Sequence, residues 1–160
     1  MTVTIRPAAV EDTAAITELI AELNAFYGDA PQDSSAVQSQ QVRLALFGES
    51  PAASVLLAIS DGRPVALASY SILWPAVGFT TSLYLKELYV AEAYRRQGIG
   101  KALMTALRKE ALQRGCSRVE WTADEDNPGA IRFYETIGTK SRTAKIFYRE
   151  NLAHQTDQAG

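Results

Sequence analysis

Residues 94 to 103 read Tyr94-Arg-Arg-Gln-Gly98-Ile-Gly100-Lys-Ala-Leu103. They follow a strand-like run, Ser82 to Val90, and the periodicity beyond Gly98 predicts a helix of about four turns. A glycine-bearing turn that opens a helix leaves several backbone N–H groups without intrahelical partners, all directed at one spot and backed by the positive end of the helix dipole. Arg95, Arg96 and Lys101 add charge around that spot. Such a place suits a phosphate or pyrophosphate. Taken alone, the two glycines also read as a plain strand-to-helix turn, and the basic residues as a solvated charge run.

Working outward, Thr2 to Arg6 reads as a first strand stopped by Pro7. Ile16, Leu19, Ile20 and Leu23 repeat at helical spacing up to about Phe26, and Gly28 breaks that helix. Residues 28 to 35 form a loop, and Ser35 is placed to cap a second helix over 36 to 47. Ser54 to Ser60 and Pro64 to Leu73 are strands joined at the turn Asp61-Gly62. Arg114-Gly115 closes the helix that began after Gly98. Val119 to Thr122 reads as a short strand, Asn127-Pro128 starts a further helix that runs to Gly138, and Ser141 to Arg149 reads as the last strand. Hairpins dominate the middle of the chain, which predicts a mixed α/β (α+β) layered fold around one sheet.

At 160 residues the chain suits a single domain, taken as 1–152, with a polar tail over 153–160. Apolar residues make up 47% and charged residues 21% of the sequence, and the formal net charge is −2. That balance argues against a nucleic-acid binder. No apolar run is long enough to suggest a membrane span, and the first residues lack the form of a signal peptide. One cysteine, Cys116, leaves no internal disulfide and no cysteine metal cluster. A cytoplasmic setting is expected. The only histidine, His154, lies in the polar tail, so chemistry here is expected to run on carboxylates, tyrosines and backbone groups.

Two nucleotide fingerprints fail. Gly98-Ile-Gly100-Lys-Ala-Leu lacks the third glycine of a dinucleotide turn, and Gly100-Lys101-Ala102 lacks the hydroxyl a P-loop offers to magnesium.

Arg95-Arg-Gln-Gly98-Ile-Gly100 resembles the Arg/Gln-x-x-Gly-x-Gly/Ala turn of the GNAT superfamily of N-acetyltransferases. Asn127-Pro-Gly-Ala130-Ile-Arg-Phe133-Tyr134, with Gly138 after it, resembles a second block of that superfamily. The order of elements agrees from about residue 3 to 150. The resemblance implies a GNAT-like acyl-CoA acyltransferase fold, with a mostly antiparallel central sheet flanked by helices. It implies acetyl-CoA as the cofactor, held by Arg95, Arg96, Gln97, Gly98, Ile99, Gly100, Lys101 and Ala102 at its pyrophosphate. Leu88, Tyr89 and Val90 are placed along the pantetheine arm, with Asn127 on its other side. Tyr134 is placed at the thioester sulfur. On local grounds Asn127 also reads as a helix cap and Tyr134 as an ordinary aromatic.

The implied activity moves the acetyl group of acetyl-CoA to a primary amine of a small molecule, by direct attack through a tetrahedral intermediate. Tyr134 is the candidate acid for the departing sulfur, and Glu87 the candidate base for the amine. Ser71-Ile-Leu-Trp74, Leu83-Tyr-Leu-Lys-Glu-Leu-Tyr-Val90 and Gly115-Cys-Ser-Arg-Val119 resemble the diamine and polyamine branch. That branch carries Glu-Asp where this chain has Lys86-Glu87. In an ideal strand Lys86 and Glu87 point to opposite faces, and a bulge would change that. Tyr27, Asp29, Trp74, Tyr84 and Glu87 are candidate acceptor contacts, with Asn24 and Asp33 beside them. Two aspartates near a cleft favour a cationic amine, although both are also ordinary loop residues. A peptide or protein acetyltransferase and a non-catalytic acetyl-CoA sensor are the alternatives. A homodimer is expected from the resemblance, with Lys145 to Arg149 or a nearby sheet edge as a contact.

Overall fold

The computed structural model describes residues 2–141 and 144–152. They belong to two compact units, one ending at Thr122 and one beginning at Ala123. The first unit runs β1 (Val3–Pro7), α1 (Thr13–Phe26), α2 (Ser35–Phe47), β2 (Ser54–Ser60), β3 (Arg63–Leu73), β4 (Ser82–Val90), α3 (Ile99–Gln113) and β5 (Arg118–Glu120). Its strands form one sheet in the order β1-β2-β3-β4-β5. The first three pairings are antiparallel, and β4 pairs with β5 in parallel. This is the mixed α/β arrangement expected from the sequence, a central sheet with helices on its faces.

Strand alternation decides what each face carries. Leu57 lies opposite Leu67, and Leu67 opposite Tyr89. These three cluster with Ile16, Leu19 and Leu23 of α1, while Val42, Leu46 and Phe47 of α2 cover the cluster's margin. The other face carries Leu56 opposite Ala68 and Ala58 opposite Ala66. Tyr70 belongs to that face, since Arg114 at the end of α3 lies over its ring at 5.6 Å. Leu103, Met104 and Leu107 of α3 are fully buried. Alanines on the strands let a helix with long side chains sit close. Each fully buried leucine contributes roughly 1.5–3 kcal/mol of transfer free energy.

The turn chemistry follows the sequence closely. Asp61 and Gly62 both take positive φ, 49° and 76°, as the two central residues of a tight β2–β3 hairpin require. Pro7 is the last residue of β1, an edge strand, where a missing N–H is tolerated. The cap of α2 falls one residue earlier than expected: Ser34, not Ser35, accepts from the N–H of Val37 at 3.3 Å. The entry to α1 is held by Asp12, which accepts from the N–H of Ala9 at 2.7 Å and from both terminal nitrogens of Arg6 at 2.7 and 2.9 Å. Arg6 thereby holds the Asp12 carboxyl below its ordinary value, with burial opposing and the Ala9 N–H adding to the effect.

In the second unit, α4 (Pro128–Thr136) forms where the sequence placed it. The expected last strand, Ser141 to Arg149, does not form among the described residues. Ser141 and residues 144–152 take no strand conformation, and Arg142 and Thr143 lie outside the described residues, as does the tail from 153 on. Ile146, Phe147 and Tyr148 are consecutive and 77%, 65% and 84% exposed. An unbroken apolar triplet does not assign one face to a core, so alternation gives this segment no register.

Candidate acetyl-CoA and acceptor site

The turn after β4 is built on two positive-φ residues. Arg96 has φ 63° and Gly98 φ 78°. Space does not decide the glycine at 98, because a Cβ there would meet nothing within 4 Å. The backbone conformation decides it. Gly98 caps α3, and its carbonyl accepts the N–H of Ala102 at 3.0 Å. Ala102 is therefore engaged within the helix. The N–H groups of Ile99, Gly100 and Lys101 come before that first helical bond and have no i−4 carbonyl in α3 to donate to. Three N–H groups and a helix dipole meet here beside Lys101.

Beside this turn, β4 offers a polar edge. Its pairing with β5 covers only Ser82, Leu83 and Tyr84, whereas its pairing with β3 continues to Val90. The N–H of Ala91 donates to Val65 of β3 at 2.9 Å. Alternation then turns the N–H and C=O of Val90 and Leu88 away from β3, toward the edge that β5 leaves uncovered. An extended amide-bearing arm is the ligand such an edge can pair with.

The bulge weighed in the sequence reading is present in β4. Ser69 pairs with Glu87 while its neighbour Tyr70 pairs with Leu85, so Lys86 is the extra residue. Leu85 shares the α3 face with Tyr70. Glu87 shares the α1 face with Tyr89. Tyr84, opposite Ser71, also falls on the α1 face. The bulge thus gathers Tyr84 and Glu87 on one side and frees Lys86 from the parity that would set it opposite Glu87. Glu87 is half-buried and Lys86 is exposed.

Arg95 takes a position the sequence did not indicate. Its Nε donates to the carbonyl of Val90 at 3.0 Å. Its guanidinium lies 5.1 Å from the ring centre of Phe26 and 5.5 Å from that of Tyr89. Tyr89 donates its hydroxyl to Glu22 at 3.2 Å. Burial, then the Glu22 carboxylate, pushes the Tyr89 hydroxyl above its ordinary value. Exposed cation–aromatic contacts are worth about 0.5–1 kcal/mol each. The first residue of the turn is thereby tied to the last residue of α1. Signals for this were present in Phe26, Tyr89 and Glu22, but only the fold brings them to Arg95.

The remaining candidates are distributed unevenly. Tyr27 follows Phe26 and meets its ring edge-on at 5.4 Å, at the Arg95 end of β4. Asp29 donates its N–H to Asn24 at 2.9 Å, and Asp33 accepts from Gln41 at 3.3 Å; both aspartates are exposed. Trp74 lies beyond β3 at the far end of the β3–β4 hairpin, its indole N–H donating to the Phe79 carbonyl at 2.9 Å. The length of β4 separates it from Arg95, roughly 25 Å at strand rise. Arg96 and Gln97 are exposed on the turn. Within the second unit, Asn127 caps α4 by accepting from the N–H of Ala130 at 3.2 Å. Tyr134 lies on α4 with its ring edge-on to Phe133 at 5.2 Å.

Comparison with known proteins agrees with this arrangement. Residues 16–139 match the model of the acetyltransferase (GNAT) family. An L-ornithine N5-acetyltransferase of Arabidopsis thaliana is 36% identical over 86 residues, which is 54% of this chain and 36% of that protein. A thialysine N-epsilon-acetyltransferase of Sus scrofa is 28% identical over 148 residues, covering 88% of this chain and 86% of that one. Among solved structures, an integron cassette protein from the mobile metagenome of V. cholerae superposes with a TM-score of 0.86 at 28% identity, over 94% of this chain and 93% of that one. With the family model covering most of its length, the chain belongs to the GNAT family of acetyltransferases.

Proposed function

We propose that the protein is an acetyl-CoA-dependent N-acetyltransferase acting on a primary amine of a small molecule. The observation that carries this is the junction of two features: the β4 edge at Leu88 and Val90, and the N–H groups of Ile99, Gly100 and Lys101 just beyond it. An amide-bearing arm ending in a pyrophosphate fits both at once. Acetyl-CoA would supply the activated acetyl group as a thioester.

The chain's own residues would do the rest. Glu87, on the α1 face beside the pantetheine edge, takes a proton from the ammonium of the acceptor, leaving a nucleophilic amine. Backbone N–H on β4 stabilises charge on the carbonyl oxygen as the amine nitrogen bonds to the acetyl carbon. The carbon–sulfur bond then breaks, and Tyr134, assigned by resemblance, protonates the leaving thiolate and regains a proton from the nitrogen, which sheds it on becoming an amide; Glu87 gives its proton to solvent. Products are an N-acetyl amide, the free thiol of CoA and one released proton.

For the acceptor, we favour the side-chain amine of an amino-acid-like molecule. The ornithine and thialysine enzymes act on amines of this kind. Lys86 supports it from this chain. An ammonium one residue from Glu87 works against a polycation and favours an acceptor that also carries a carboxylate. The diamine and polyamine branch, with its acidic pair, is the weaker reading for that reason.

The test is thiol release from acetyl-CoA with a panel of amino acids, diamines, polyamines, aminoglycosides and short peptides. Turnover on a small amine, lost in Glu87→Gln and Tyr134→Phe, is the expected result. Tight binding of acetyl-CoA with no amine-dependent release would instead favour a sensor.

A further inference from the structure

We propose that Arg95 couples cofactor binding to the acceptor side of the protein, as a positioning residue that holds the end of α1 against β4. This rests on the acetyl-CoA reading above. Arg95 belongs to the turn that meets the pyrophosphate, yet its guanidinium faces Phe26 and Tyr89 at 5.1 and 5.5 Å, and its Nε holds the Val90 carbonyl. Phe26 is the last residue of α1, and Tyr27 and the loop containing Asp29 continue directly from it. A change in the turn therefore reaches the proposed acceptor contacts through one side chain.

Two properties make this a coupling element. First, the contact joins Arg95 to Phe26, 69 residues apart and both exposed, one step beyond the core in which Leu23 of α1 packs with Tyr89. Second, the Arg95 backbone lies between the end of β4 and the strained Arg96, so ordering the turn around a pyrophosphate fixes the base of the Arg95 side chain. The free energy of ordering is then shared by the turn and the α1 end, which is the condition for reciprocal coupling between two ligand sites.

Hydrogen exchange on the whole protein, with and without coenzyme A, tests this. In the wild type, coenzyme A slows exchange at residues 96–102 and also, at least threefold, at 22–33. In Phe26→Leu, and in Phe26→Ala, which break the contact from the α1 side, coenzyme A still binds and protects 96–102 while the response at 22–33 disappears. Three results would overturn the inference: a response at 22–33 that persists in both variants, a wild-type response confined to 96–102, or faster exchange at 22–33. Failure of the wild type to bind coenzyme A would reject the cofactor reading itself.

Discussion

Tyr84 and Glu87 share one face of the sheet although they lie three positions apart along β4, because the strand bulges at Lys86. In a regular strand they would point to opposite faces. Deleting Lys86 would make the strand regular with Leu85 and Glu87 still opposite Tyr70 and Ser69, so Glu87 keeps the α1 face and amine-dependent thiol release is expected to persist. Inserting a second residue after Lys86 would instead turn Glu87 or Tyr84 away and abolish it. Substituting Lys86 by Met keeps the bulge and should retain turnover.

Charge at the bulge should set substrate preference. Lys86→Glu is expected to raise kcat/KM for a diamine relative to the corresponding α-amino acid by about tenfold, equivalent to roughly 1.4 kcal/mol. Paired kinetics on lysine and cadaverine would read this. An unchanged ratio would mean that Lys86 does not face the acceptor.

Glu87→Gln keeps the side chain's shape and removes the base. It should lower kcat by about 10²–10⁴ while leaving acetyl-CoA affinity within a fewfold of wild type. The pH profile of kcat/KM should lose its ascending limb. A structural role alone would lower stability without reshaping that profile.

The Arg6–Asp12 pair gives a pH dependence of stability. The folded Asp12 carboxyl titrates below its unfolded value. Its contribution is fully present above the unfolded pKa and is lost as pH falls through the folded one. Asp12→Asn should therefore cost about 1.5–3 kcal/mol near neutral pH. The difference from wild type should begin to shrink below about pH 4, where the unfolded carboxyl titrates, and go on shrinking as pH falls through the lower folded value. Urea denaturation at pH 7 and pH 3 would check it.

Much of the fold could be read from local pattern. Alternation and punctuating turns placed β2 and β4 at their observed ends, and helical spacing placed α1 and α3. What escaped depends on pairing between distant segments. The bulge at Lys86 is a matter of register against Ser69 and Tyr70, which no local pattern encodes. Arg95 reads as part of a basic turn, and only the meeting of α1 with β4 gives it Phe26 as a neighbour. The segment from Lys145 to Arg149 was misread because β-propensity was taken as sufficient without an alternating face. The acceptor candidates were the least legible. Tyr27, in the loop after the first helix, and Trp74, before the strand that carries Glu87, read as walls of one pocket, yet they lie toward opposite ends of β4.

The central claim is that the turn capped by Gly98 and the open edge of β4 bind acetyl-CoA. Calorimetric titration of acetyl-CoA into wild type and Gly98→Val tests it most directly, with circular dichroism as a check on folding. A β-branched residue is strained at φ 78° and should distort the turn that aims the N–H groups. The account predicts one site per chain in the wild type and at least tenfold weaker binding in the variant. No binding to the wild type, or equal affinity in a folded Gly98→Val, would contradict it.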